Sequence, residues 1–100
     1  MSRWYGRDGK PIATLEEWAS RLETDRRVAE THLPNHWVST VWLGLDYRFG
    51  DGPPLIFETM VFRTKNGKTE DYHDLDCERY STEAEALAGH EAMVEKWKNK

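Results

Sequence analysis

Apolar positions recur along this chain with two periods, and the switches between them mark its elements. Leu15, Trp18, Ala19 and Leu22 fall at i, i+3, i+4 and i+7 behind a Thr14–Glu17 capping box, which predicts an amphipathic helix from Leu15 to Asp25. Val28 to Leu33 reads as a short strand, stopped by Leu33-Pro34-Asn35-His36, where proline and asparagine supply turn geometry. Trp37 to Tyr47 is dense in β-branched and aromatic residues and predicts a long strand. The two prolines of Gly50-Asp51-Gly52-Pro53-Pro54 then force a loop, because each removes a ladder donor. Leu55 to Thr64 follows as a second long strand, and Asn66-Gly67 between two lysines predicts a tight hairpin into a third, Thr69 to Tyr80. Thr82, with Glu85 three residues later, opens a second helix that runs to Trp97, and Lys96, Lys98 and Lys100 cluster where a helix end favours cations. Before the first helix, Asp8-Gly9 between aromatic and apolar flanks marks a small arm or irregular hairpin that packs Trp4 or Ile12 onto the body. The expected fold is α+β: an antiparallel three- to four-stranded meander sheet with an N-terminal and a C-terminal helix. Residues 1–100 form one domain, with 1–13 as the arm and 14–100 as an α-β-β-β-β-α body.

Within the central strands the alternation is poor. Odd positions give Trp37, Val41, Leu43, Leu45, Leu55, Phe57 and Val61; even positions give Val38, Trp42, Ile56, Met60 and Phe62. An antiparallel sheet with one wet face should read apolar-in and polar-out, so apolar residues of both parities imply that both faces need cover. The arm or the helices supply it within one chain, or a homodimer or another partner does. Which face is inner depends on register, because a one-residue slip exchanges every side chain between faces.

Composition narrows the class. Leu, Ile, Val and Phe number only eighteen in 100 residues, which alone leans toward disorder. Five Trp and four Tyr oppose that, since each such ring buries a large apolar area. Eighteen acidic against fourteen basic residues leave a net charge of -4, which speaks against direct nucleic-acid binding. Met1 to Ile12 has no apolar run to serve as an export signal, and no window approaches the roughly 18 apolar residues of a membrane span, so a cytoplasmic protein is expected. The lone Cys77 excludes an internal disulfide.

Candidate chemistry is sparse. Glu70, Tyr72, Asp74, Asp76, Glu78 and Tyr80 share one parity of the third strand, an acidic row flanked by tyrosines. It suits either a solvated edge that resists aggregation or a phosphate-mimicking surface for a basic partner. His90 lies on the apolar stripe of the last helix and reads as a core histidine with a strand carboxylate such as Glu58 for a partner. Glu58 itself stands in an apolar strand, where burial demands a hydrogen-bonding partner. His32, His36 and His73 have no metal-ligand spacing, and no glycine pattern cradles phosphate, so neither a metal nor a cofactor is implied. Trp37, Trp42, Phe57, Phe62 and Tyr47 fill a core, stack on a planar ligand or anchor an interface.

Three segments carry a resemblance: Trp37-Val38-Ser39-Thr40-Val41-Trp42-Leu43-Gly44-Leu45-Asp46, Gly52-Pro53-Pro54-Leu55-Ile56-Phe57-Glu58-Thr59-Met60-Val61-Phe62, and Tyr80-Ser81-Thr82-Glu83-Ala84-Glu85-Ala86 with Gly89-His90 following. Over roughly Trp37 to Val94 the chain resembles a family of short uncharacterised proteins of tailed bacteriophages and prophages. The resemblance implies a setting and brings no activity with it. By analogy of class, small acidic phage proteins are similar in kind to accessory inhibitors that bind a host enzyme or defence complex. The first expectation is therefore a non-enzymatic phage accessory protein in the host cytoplasm, binding a host protein through Glu70, Tyr72, Asp74, Asp76, Glu78 and Tyr80. The alternative is a homo-oligomer that holds a small ligand, such as a nucleotide signal, in a pocket lined by Trp42, Glu58 and His90. A small enzyme using His90 with a carboxylate ranks last, because no nucleophile or spacing motif supports it.

Overall fold

A computed structural model describes residues 3–48 and 50–100. In chain order the elements are β1 (Trp4–Tyr5), β2 (Pro11–Ile12), α1 (Leu15–Asp25), β3 (Arg27–His32), β4 (His36–Trp42), β5 (Phe57–Lys65), β6 (Lys68–Thr69), β7 (Asp76–Tyr80) and α2 (Glu83–Trp97). The sheet runs β3-β4-β5-β7, antiparallel throughout, and β6 pairs with the far end of β5. This is the α+β architecture expected, with α2 crossing one face of the sheet.

Pairing resolves the poor alternation. Val38 lies opposite Val61, Thr40 opposite Thr59 and Trp42 opposite Phe57, so even positions of β4 share a face with odd positions of β5. That face meets α2: Ala86 joins Trp42, Ile56, Phe57 and Ile12 in one cluster, and Met93 joins Val38 and Val61 in a second. Between the clusters runs a polar seam. His90 Nδ1 lies 2.7 Å from Thr40 Oγ1, its Nε2 lies 2.8 Å from Thr31 Oγ1, and Thr40 Oγ1 lies 2.6 Å from Thr59 Oγ1. His90 is thus a satisfied core histidine, but threonines hold it and Glu58 does not.

Capping is as expected for α2, where the Thr82 hydroxyl accepts from the Glu85 amide and the Glu85 carboxylate accepts from the Thr82 amide. At α1 only half the box forms: Thr14 accepts from the Glu17 amide, while the Glu17 carboxylate turns to Arg21 at 2.9 Å. Helix α1 buries no residue fully and packs on the β1–β2 hairpin, with Trp18 stacked on Trp4 at 6.4 Å. Its Trp18 and Leu22 pack against the edge of the Trp42–Phe57 cluster, so α1 adds to the cover at one end of the sheet while α2 lies along the rest of that face. The arm itself is anchored by Ile12 in the core and by Trp42 Nε1, which donates to the Tyr5 carbonyl at 2.9 Å.

Two strands end earlier than the sequence suggests. β4 stops at Trp42, and Gly44 adopts a positive φ of 72° where a Cβ would meet the Trp18 and Trp42 rings. The hairpin at Asn66-Gly67 forms as expected, with both residues at positive φ. The long third strand does not: β6 lasts two residues, and the six residues Glu70 to Leu75 lie opposite only Phe62 and Arg63 of β5 before β7 resumes the ladder. Acidic residues and His73 crowd that segment, a composition poor in strand formers, and the Asp71 carboxylate accepts from the His73 amide in a local turn.

Candidate binding groove on the open face of the sheet

The face turned away from α2 carries Trp37, Ser39 and Val41 from β4 and Glu58, Met60 and Phe62 from β5. Among the described residues, no helix lies across it. The end of α1, with Glu23, Thr24 and Arg26, forms one wall and Tyr72 another, and together they enclose a groove of about 410 Å³.

Register aligns aromatic rings along this face of the sheet. His32 pairs with Trp37 and Trp37 with Phe62, so the three rings stand side by side on neighbouring strands. His32 stacks on Trp37 at 5.9 Å and 8°, Trp37 meets Phe62 at 5.6 Å, and the Tyr72 ring meets Phe62 edge-on at 5.9 Å. A bulge in β3 completes the site. The pairing shifts between Ala29 opposite Thr40 and Arg27 opposite Val41, which swings Arg27 from the helix face to the open one. The Arg27 guanidinium then sits 5.4 Å from the Trp37 ring centre, donates to Ser39 Oγ and pairs with Glu30 at 3.2 Å. Trp37 Nε1 is buried with no hydrogen-bond acceptor among the described residues.

Glu58 lies at the other end of the floor, 7% exposed, and its Oε2 accepts from Arg79 Nε at 2.9 Å. The Arg79 guanidinium also lies 4.8 Å from the centre of the Tyr47 ring. Cys77 Sγ is 3.7 Å from Glu58 Oε2, and its thiol is pushed up to about 11, first by burial and then by the Glu58 charge. The carboxylate is held by a cation and the thiol stays protonated, so neither group is set up as an activated nucleophile.

The residues expected to form a pocket, Trp42, Glu58 and His90, do not meet. Trp42 and His90 lie in the core beneath α2, at 0% and 2% exposure, and Glu58 points from the opposite side of the sheet. The acidic row is also divided. Glu70, Tyr72 and Asp74 belong to the excursion between β6 and β7, while Asp76, Glu78 and Tyr80 lie on β7, on the α2 side. Asp76 is engaged there: Lys96 Nζ donates at 2.7 Å and Trp97 Nε1 at 3.0 Å, and these bonds, Lys96 first, hold its carboxyl below the usual carboxylate range. The Tyr80 ring presses on Gly89, and burial pushes its phenol up. Glu70, Tyr72, Glu78 and Tyr47 remain exposed. Of the aromatic candidates, Trp37 and Phe62 reach the groove, whereas Trp42 and Phe57 are core. Reading the residues without strand pairing missed Arg27, Ser39, Val41 and Met60; the parity of β4 against β5 is the signal that groups the last three, and the β3 bulge left none. The chain matches no protein-family model, no curated protein and no solved structure.

Proposed function

We propose that this is a non-enzymatic binding protein whose open sheet face seats an aromatic or long apolar side chain of a host protein. The observation that supports it is the row of rings from His32 through Trp37 and Phe62 to Tyr72, of which Trp37 and Phe62 floor and Tyr72 walls a groove that, among the described residues, no helix lies across. Aromatic anchors and arginine in a partly desolvated hollow are the contacts that dominate protein interfaces. Val41 and Phe62 are already 8% exposed, so the surface suits one inserted side chain better than a broad apolar sheet. This moves the recognition surface from the acidic strand to the opposite face. The resemblance to phage proteins supplies the setting, an accessory protein that blocks a host enzyme or defence complex. A small planar ligand is the second reading, favoured by a hollow within the roughly 300–1,000 Å³ range of ligand sites.

The test compares three immobilised proteins against host lysate. A host protein held by the wild type and by Leu87→Lys, on the outer surface of α2, but lost by Met60→Lys supports the reading, provided its purified form shifts amide resonances of β4 and β5. Equal retention by all three, or shifts confined to α2, overturns it. A planar ligand would instead raise thermal stability without any protein, by about 2.7 kcal/mol at a hundred times its dissociation constant.

A further inference from the structure

A second hollow, of about 730 Å³, opens at the end of the sheet where the Asn66-Gly67 turn meets the C-terminal end of α2. It shares no lining residue with the aromatic groove. Arg63, Lys65 and Lys100 border it, against the Glu70 carboxylate and the α-carboxylate of Lys100, whose oxygen accepts from Asn35 Nδ2 at 3.5 Å. In a chain of net charge -4 this is a local reversal of sign. No ion pair among the described residues engages Arg63, Lys65 or Lys100, as is also true of Lys10, Arg26, Arg48 and Lys68, and Lys100 Nζ lies 5.6 Å from the centre of the Trp97 ring. Cations held round a concave wall focus their field on whatever enters it.

A buried group stands on the wall of the hollow. His36, on its wall, is only 6% exposed, and its Nδ1 has no hydrogen-bond partner among the described residues. A buried polar atom without a partner calls for an explanation, and a ligand that supplies the partner is one. The ring is fixed by Trp97, 4.9 Å away and tilted by 58°, and His36 pairs with Arg63 across the β4–β5 ladder. Asn35 and Asn66 line the same wall and add amide donors.

We infer that this hollow binds a phosphate group, with Arg63, Lys65 and Lys100 supplying charge and His36 a hydrogen bond from within. Burial first, then Arg63 and Lys100, lower the proton affinity of the empty His36 ring, and an arriving dianion offsets both cations. The phosphate comes either free or carried on a small molecule such as a nucleotide.

Isotope-labelled protein titrated at low ionic strength with inorganic phosphate, and separately with adenosine monophosphate, tests this. The expected result is saturable movement of the His36 ring and Asn66-Gly67 amide resonances, with at least tenfold weaker binding in Arg63→Gln/Lys65→Gln. Both of these side chains are exposed, so the variant should keep its fold, and an unchanged melting temperature checks that. Equal affinity for the two probes identifies phosphate alone as the ligand, and tighter binding of the nucleotide identifies a carried one. Linear, unsaturable shifts that chloride reproduces, or identical binding by the double variant, overturn the inference. Neither result bears on the aromatic groove, whose residues lie outside this hollow.

Discussion

His90 Nδ1 lies 2.7 Å from Thr40 Oγ1, which bonds the middle of α2 to the middle of the central strand. With Nε2 on Thr31, the ring is held as a neutral imidazole, donating through one nitrogen and accepting through the other. Burial pushes its proton affinity below the ordinary value of 6.5, and His36 is lowered for the same first reason. Below about pH 6.5 the unfolded chain therefore takes up protons that the folded chain resists, and stability falls as pH drops toward the folded values. The slope can reach about 1.4 kcal/mol per pH unit for each histidine. Asp76 acts in a separate, lower window: its contribution is whole above its ordinary 3.8 and is lost as pH falls through its lowered folded value. Urea denaturation should show stability dropping between pH 7 and 5, with His90→Gln less stable by about 1–3 kcal/mol and less sensitive to pH. A flat profile over that range would remove the assignment of neutral buried histidines.

Tyr80 and Gly89 are matched in shape. A Cβ at Gly89 would come within 2.2 Å of the Tyr80 ring carbon and oxygen, closer than any real contact, and Tyr80 is boxed in by burial. Gly89→Ala gains helix propensity of about 1 kcal/mol in isolation, yet here it should lower stability, by about 1–3 kcal/mol net. Tyr80→Leu should cost stability alone but reduce the cost of Gly89→Ala, giving a coupling visible in a double-mutant cycle of melting temperatures. Strict additivity would mean that the ring moves aside.

Cys77 should be slow to alkylate. With its thiol at about 11 against an ordinary 9.0, the thiolate fraction at pH 8 is roughly a hundredfold below that of an unperturbed cysteine. Iodoacetamide labelling followed by mass spectrometry should give a rate lower by about that factor than in the urea-unfolded chain. Glu58→Gln should quicken the folded-state reaction only in part, because burial is the larger cause. Equal rates in folded and unfolded protein would sink the placement of this thiol.

Much of the fold was legible because local signals agreed with the tertiary outcome. Thr82 and Glu85 start α2, Asn66-Gly67 turns the hairpin, and Leu15, Trp18 and Leu22 give a stripe that does form a helix. The candidate site was less legible, for two physical reasons. Face assignment is a property of a strand pair: Trp37 and Phe62 have opposite parity yet stand side by side, because β4 and β5 run antiparallel with Trp37 opposite Phe62. The bulge that turns Arg27 onto that face, and the excursion that breaks the acidic row after Glu70, arise from unequal residue counts on paired strands. Charge told the same partial story, since a net -4 conceals the cations gathered round His36.

The Glu58–Arg79 pair carries a prediction about order of effects. Glu58 is 7% exposed, whereas the Arg79 side chain is 40% exposed, so the acid depends on the base more than the base depends on the acid. Removing Arg79 strands a carboxylate in the floor of the groove; for a fully buried pair that costs about 3–5 kcal/mol, and solvent reaching Arg79 reduces it to about 1–2. Arg79→Met should therefore destabilise, and Glu58→Met, which leaves an arginine free to turn outward over Tyr47, should cost less. The double variant should recover most of the loss, since no charge is then left unpaired in the floor. Denaturant midpoints for the four proteins decide it. If Arg79→Met proves no more costly than Glu58→Met, water already reaches the carboxylate, and the groove is wetter at this end than its geometry implies.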